Sequence, residues 1–128
     1  MWLLKPASLN QGRGIEVSKN MRDIVETIQK KKDLYWVIQK YIERPFLYKQ
    51  RKFDIRVWVL LNDQFDIYFY LDGYLRTSSM DYQVTQKAVG VHLTNQCLQV
   101  NEEGYGAHEA GNTLTFGQFQ AYLDLEEN

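Results

Sequence analysis

Residues 37–56 read VIQKYIERPFLYKQRKFDIR, and the last five of them decide the fold. The stretch opens as an apolar, β-branched run and turns polar at Gln39-Lys40. A Pro-containing loop follows, and then Lys52-Phe53-Asp54-Ile55-Arg56 alternates charge with apolar bulk. On a strand, Lys52, Asp54 and Arg56 share one face, with Phe53, Ile55 and Val57 on the other. One reading is a solvated sheet face laced by cross-strand ion pairs. The other is a charged floor for a phosphate-bearing ligand.

Composition bounds the choice. The chain has 128 residues, room for one domain. It carries nine Tyr and a 14% aromatic share, which favours strands. A net charge of −1 gives no electrostatic drive toward nucleic acid or an anionic membrane, and neither is expected as a partner. No apolar run reaches membrane-spanning length. The lone Cys97 allows no internal disulfide and points to a reducing compartment. The chain opens on an apolar strand and closes as a helix is under way, which reads as a piece of something longer.

Upstream of the central stretch, residues 2–5 and 15–17 are strand candidates around the glycine turn Asn10-Gln11-Gly12-Arg13-Gly14. Two glycines leave backbone N–H groups open to an anion. No Gly-Lys-Ser/Thr follows, and no helix, so the turn is neither a P-loop nor a dinucleotide fingerprint. Lys5 adds a positive charge beside it, or is simply an exposed strand end. Residues 18–32 read as a helix capped by Ser18 or Asn20, with Ile24, Val25 and Ile28 as its apolar stripe. Its Lys30-Lys31-Lys32 end complements the helix dipole. Residues 34–42 form a strand buried at Trp36 and Ile38. Its end, Gln39-Lys40-Tyr41-Ile42, offers the backbone and apolar groups that hold a purine.

Downstream, residues 52–62 read as one long strand, 65–71 as another and 74–78 as a third. A tight Asp72-Gly73 turn joins the last two into an antiparallel meander. His92 lacks a second ligand for metal and reads as a satisfied structural histidine. Cys97 reads as a small buried apolar residue. Residues 101–112 form a Gly-rich, flexible loop. Residues 115–125 form an amphipathic helix capped by Thr115, with Phe116, Phe119, Tyr122 and Leu123 inward.

Six strings occur in a fixed order along the chain: WLLKPASLNQGRGI, WVIQKYIERPFL, RKFDIRVWVLL, GYLRTSS, VHLTNQ and GNTLTFGQFQAYL. Together they resemble the tubulin–tyrosine ligase family, including its tyrosine-ligase-like glutamylases and glycylases. The resemblance implies an α+β ATP-grasp-like fold, an antiparallel sheet with flanking helices, here incomplete. Residues 1–128 would be a partial ATP-grasp domain without the N-terminal lobe and the C-terminal metal-binding strands. It implies an ATP-dependent ligase that adds glutamate, glycine or tyrosine to tubulin through an acyl-phosphate. ATP and Mg²⁺ are the implied cofactors, and a free amino acid and the acidic C-terminal tail of tubulin or the microtubule are the implied partners. The implied setting is the cytoplasm, on the cytoskeleton or in the cilium.

By the same resemblance, Lys5 contacts ATP phosphate and the loop Gln11, Gly12, Arg13 and Gly14 closes over it. Gln39, Lys40, Tyr41 and Ile42 hold the adenine. Lys52 and Asp54 lie near the ribose, the phosphates or the amino acid. Arg56 and Arg76 steady the acyl-phosphate and carboxylates, and Thr94 and Asn95 line the cleft. The family's metal ligands, a downstream Asp and a Glu-x-Asn segment, have no counterpart in the Leu125-Glu126-Glu127-Asn128 tail. The isolated chain is therefore expected to be catalytically inactive. The competing reading is a non-catalytic ATP-grasp relic that docks on tubulin.

Overall fold

The computed structural model describes residues 1–126; Glu127 and Asn128, half of the tail weighed above, lie outside the described residues. The architecture is α+β, with antiparallel sheets throughout. The first sheet has order β2-β1-β3, from Trp2–Pro6 (β1), Glu16–Ser18 (β2) and Trp36–Lys40 (β3). Helix α1 (Met21–Lys30) joins β2 to β3. Asn20 caps it, its side chain accepting from the Arg22 N–H at 2.9 Å, while Ser18 belongs to β2. Only Ile24 of its apolar stripe is fully buried; Val25 is exposed.

The second sheet has order β4-β7-β8, from Arg51–Arg56 (β4), Tyr74–Asp81 (β7) and Thr113–Thr115 (β8). Its register sets Asp54 against Arg76 and Arg76 against Thr113, and Ile55 against Leu75 and Leu75 against Leu114. One face is therefore polar and the other apolar. The apolar face packs Leu75, Leu114 and Phe53 onto Tyr48 and onto Phe116, Phe119 and Tyr122 of α4 (Phe116–Glu126). Thr115 caps α4 reciprocally. Its hydroxyl accepts from the Gln118 N–H, and Gln118 Oε1 accepts from the Thr115 N–H at 2.9 Å.

The long strand expected over 52–62 is two strands. After Arg56 the chain leaves β7 and forms β5 (Val59–Leu61), which pairs with β6 (Ile67–Phe69) in a separate hairpin. The partner segments 67–69 and 74–81 are split by the turn at 70–73, so no single strand can follow both. Nothing in the local alternation signals that change of partner. Trp36 is half-buried and Ile38 exposed, so β3 is not the buried strand expected. Cys97 is exposed rather than buried. Two short helical turns, α2 (Val89–His92) and α3 (Gln96–Gln99), occupy the segment left unassigned by pattern.

The loop at 101–112 is anchored at its far end. Asn112 is buried and donates to the Thr77 carbonyl and the Ser79 hydroxyl, while Glu109 pairs with Arg51. No helix among the described residues is long and apolar enough to cross a membrane.

Candidate functional site

The first sheet presents Lys5 and Gln39 on one face. In the β1–β3 register Leu3 sits opposite Gln39 and Lys5 opposite Val37, so these four share that face, while Trp2, Leu4, Ile38 and Lys40 share the other. Lys5 Nζ donates to Gln39 Oε1 at 2.6 Å. Both line a cavity of about 350 Å³ with Gln11, Gly12 and Arg13 of the glycine turn. Five residues singled out for one ligand therefore do converge on one hollow.

Lys40 does not join them. Its ammonium lies over the Trp2 ring and pairs with Glu43 on the opposite face, leaving only its backbone for a ligand. Lys40 and the N-terminal ammonium hold the Glu43 carboxyl down to about 2. Ile42 is exposed at the end of the strand.

The glycine turn is built on positive φ at Gln11, Gly12 and Gly14, values that glycine adopts without cost. Its glycines also serve packing. A Cβ on Gly12 would come within 2.9 Å of Asn95 Oδ1 and Leu98 Cδ1, and one on Gly14 within 3.1 Å of Pro6 and Leu9. The space expected to admit an anion at Gly12 is filled by Asn95, which places Asn95 directly against the turn. The Gly12 and Gly14 N–H groups carry no hydrogen bond to the described residues, and Arg13 is exposed. Thr94, next to Asn95, is buried.

The polar face of the second sheet carries the charged row. The Arg76 guanidinium grips Asp54 through two parallel hydrogen bonds, Nε to Oδ1 at 2.8 Å and Nη2 to Oδ2. The hydrogen bond to Asp54 raises the Arg76 pKa further. Arg56, two residues beyond Asp54 on β4, is exposed and has no partner among the described residues. Arg76 and Tyr74 also line an open concavity of about 1100 Å³ along β8, with Gln96, His108, Thr113 and Thr115.

Lys52 joins the two sheets. Its ammonium donates to the Tyr41 hydroxyl at 3.0 Å and to the His92 carbonyl at 2.8 Å. Burial lowers its pKa, Asp54 opposes that, and the charge of Lys5 adds to it. Lys52 and Asp54 of β4 and Arg76 of β7 thus carry the charged row of the second sheet, and Lys52 reaches Tyr41, just past β3 of the first sheet.

The sequence points to Tyr41 as an adenine contact and to His92 as a structural histidine. The structure shows that His92 is fully satisfied, with Nδ1 2.9 Å from the Tyr41 hydroxyl and Nε2 2.8 Å from the Gln86 carbonyl. It also shows that His92 belongs to the surroundings of Lys52, which pattern reading missed. Tyr41 and His92 are 51 residues apart, and no local signal links them.

The family model described as "Tubulin-tyrosine ligase family" matches residues 1–128. The chain is 40% identical to tubulin glycylase 3C of Tetrahymena thermophila, with 99% of this chain and 12% of that protein covered. It is 38% identical to tubulin glycylase 3A of Drosophila melanogaster, covering 96% of this chain and 13% of that protein. It is 35% identical to tubulin monoglycylase TTLL3 of Homo sapiens, covering 96% of this chain and 17% of that protein. The chain thus spans less than a fifth of each of these curated relatives.

Proposed function

The chain belongs to the tubulin-tyrosine ligase family, and from that premise we propose that it forms part of the ATP cleft of a ligase that adds glycine to tubulin. The observation that supports this is Lys5 and Gln39 in one hollow with the glycine turn, whose Gly12 and Gly14 N–H groups carry no hydrogen bond to the described residues, together with the Lys52, Asp54 and Arg76 row on the second sheet. Relatives named as glycylases support glycine over tyrosine or glutamate. The tubulin-modifying relatives also support a place on the cytoskeleton.

The chemistry demands such a surface. A carboxylate is a poor electrophile. Phosphorylation by ATP converts it to an acyl-phosphate, and an amine then displaces phosphate. Most of the catalytic work is charge neutralisation and alignment. Lys5 and the turn at 11–14 would take the phosphates. The face carrying Gln39 and Tyr41, with the backbone at 40–42, would take the base. Lys52 and Asp54 would set the ribose and phosphates, with Thr94 and Asn95 beside them. Arg56, unpaired among the described residues, would meet the reacting carboxylate, and Arg76 would be the fixed partner that keeps Asp54 in place.

Mg²⁺ does not fit this chain alone. Among the described residues no three His, Cys, Asp or Glu side chains come together to hold a metal, whereas Mg²⁺ needs near-octahedral oxygen ligation. We place its ligands on the remainder of the ligase, outside residues 1–126. The test is incorporation of labelled glycine, glutamate or tyrosine into tubulin by the intact protein with ATP. Glycine alone is expected. Incorporation of another amino acid overturns the specificity, and incorporation of none favours a non-catalytic, tubulin-docking relic.

A further inference from the structure

The hydrogen bonds around Lys52 have an order that the atoms themselves dictate. The Gln86 carbonyl can only accept, so His92 Nε2 carries the proton it shares with that oxygen. Burial lowers the His92 pKa, so the ring is neutral and Nδ1 is a bare acceptor. The Tyr41 hydroxyl has one proton, and its geometry gives it the bare Nδ1 as acceptor at 2.9 Å, while the Tyr82 hydroxyl is itself a donor to the Glu43 carbonyl. Burial, then hydrogen bonding and charge at Tyr82, pushes the phenol pKa up, so that proton stays. Once the proton points at His92, the oxygen lone pairs are left for Lys52 Nζ. The His92 carbonyl takes a second ammonium proton. Of the three protons on Nζ, two are held by the protein.

We propose that His92 is a positioning residue for Lys52: through the Tyr41 hydroxyl and through its own carbonyl it fixes the ammonium at the seam of the two sheets, leaving one N–H for an anionic ligand. The packing agrees. Tyr41 and His92 meet edge to face at 5.2 Å, Tyr82 packs edge to face with the same ring at 5.9 Å, and both Tyr41 and His92 are almost wholly buried. The ammonium also lies 4.5 Å from the Tyr41 ring centre, so the phenol holds it by face and by oxygen. A lysine left to itself would spread over many rotamers. Holding it removes that entropy cost from ligand binding. The inference rests on the proposed nucleotide cleft, with the anion being a nucleoside triphosphate.

The experiment measures the dissociation constant of a fluorescent, non-hydrolysed ATP analogue on the intact protein, with thermal midpoints recorded alongside. Tyr41→Phe and His92→Gln are each expected to weaken binding roughly tenfold, as befits losing one hydrogen bond to a charged group. The glutamine amide can reach the Gln86 carbonyl but not the Nδ1 position. His92→Asn, whose side-chain oxygen falls near Nδ1, is expected to recover most of the affinity. The Tyr41→Phe/His92→Gln double variant should bind no worse than the weaker single, because both act through one hydroxyl.

Additive losses in the double variant, or Asn no better than Gln, overturn the inference. Should His92→Gln fail to fold, ring-nitrogen NMR of Tyr41→Phe decides. The Nδ1 resonance must move toward that of a nitrogen without a donor, and an unmoved resonance overturns the inference. Lys52→Met separates the two levels. If it binds as the wild type does, the cleft reading itself fails. If it binds poorly while His92→Gln binds normally, only the positioning role fails.

Discussion

Arg51 and Glu109, 58 residues apart in the chain, meet inside the protein as a parallel pair, with Nη1 2.9 Å from Oε2 and Nη2 2.5 Å from Oε1. The arginine also donates to the Ser78 carbonyl and lies over the Tyr48 ring. Burial alone would raise the Glu109 pKa; the Arg51 hydrogen bonds and charge, with the Thr77 hydroxyl, outweigh it and leave it lowered. This pair ties the loop at 101–112 to the start of β4.

Removing one partner strands the other charge in the interior. Arg51→Met is expected to cost about 3–5 kcal/mol of unfolding free energy. Glu109→Gln should also destabilise strongly. Replacing both with apolar residues should cost clearly less than the sum of the single changes. Urea denaturation of the four proteins checks this, and strictly additive losses would show that the two groups are not coupled.

His92 makes stability depend on pH in a defined direction. Its folded pKa lies below the ordinary 6.5 because the ring is buried. Between 6.5 and the lower folded value, the unfolded chain binds more protons than the native one. Stability therefore rises with pH across that window and is lost as pH falls through it. His92→Asn removes this contribution. Denaturation midpoints between pH 7 and 5 should fall less steeply in the variant, and parallel profiles would remove His92 as a source of the slope.

How much of this was legible in sequence depends on distance along the chain. The strand alternation at 52–56 was visible, and the structure puts Asp54 and Arg76 side by side on the expected polar face. The Asn20 cap and the Thr115 cap were visible, because capping is local. The break after Arg56 was not, because it follows from pairing: β4 lies against β7 while β5 folds back on β6. β8 was missed for the same reason: three residues of strand declare themselves only by pairing with β7. The alternation and turn chemistry put Lys5, Gln39, Lys52, Asp54, Arg56 and Arg76 on strands, and the structure has them on β1, β3, β4 and β7. The pattern did not show that Lys40 turns its side chain away, or that His92 backs Lys52.

Gly12 is a position where the backbone itself is under constraint. Its φ is +82°, and an added methyl group would meet Asn95 Oδ1 and Leu98 Cδ1 at 2.9 Å. Gly12→Ala should cost about 1–3 kcal/mol through strain and displacement of Asn95. It should also weaken nucleotide binding if the turn closes over phosphates. Calorimetry on the variant, alone and with ATP analogue, separates the two effects, and an alanine that leaves both untouched would remove the turn from the site.

The β5–β6 hairpin offers the solvent a broad apolar surface, with Leu60 64% and Ile67 73% exposed. A lone two-stranded hairpin with bare edges invites pairing with other chains. The isolated chain should therefore self-associate at high concentration. Leu60→Glu combined with Ile67→Lys should suppress that while changing unfolding free energy by about 0.5 kcal/mol or less per site, as exposed substitutions do. Light scattering after gel filtration reads the first effect and urea denaturation the second. A large loss of stability would show that the hairpin is packed in solution.

Arg56 and Arg76 look alike in sequence and differ in state. Arg76 is committed to Asp54, whereas Arg56 is exposed and unpaired among the described residues. An uncommitted guanidinium beside a charged row is free to meet a carboxylate or phosphate that arrives with substrate. Arg56→Ala should therefore leave the melting temperature and ATP-analogue affinity of the intact protein close to wild type. Ligation should fall by about 10²–10³-fold, the usual loss on removing one group that stabilises transition-state charge. Asp54→Asn should behave differently, loosening Arg76 and weakening nucleotide binding as well as turnover. Measuring affinity and single-turnover rate on both variants distinguishes the roles, and an Arg56→Ala protein with undiminished turnover would place that side chain outside the chemistry.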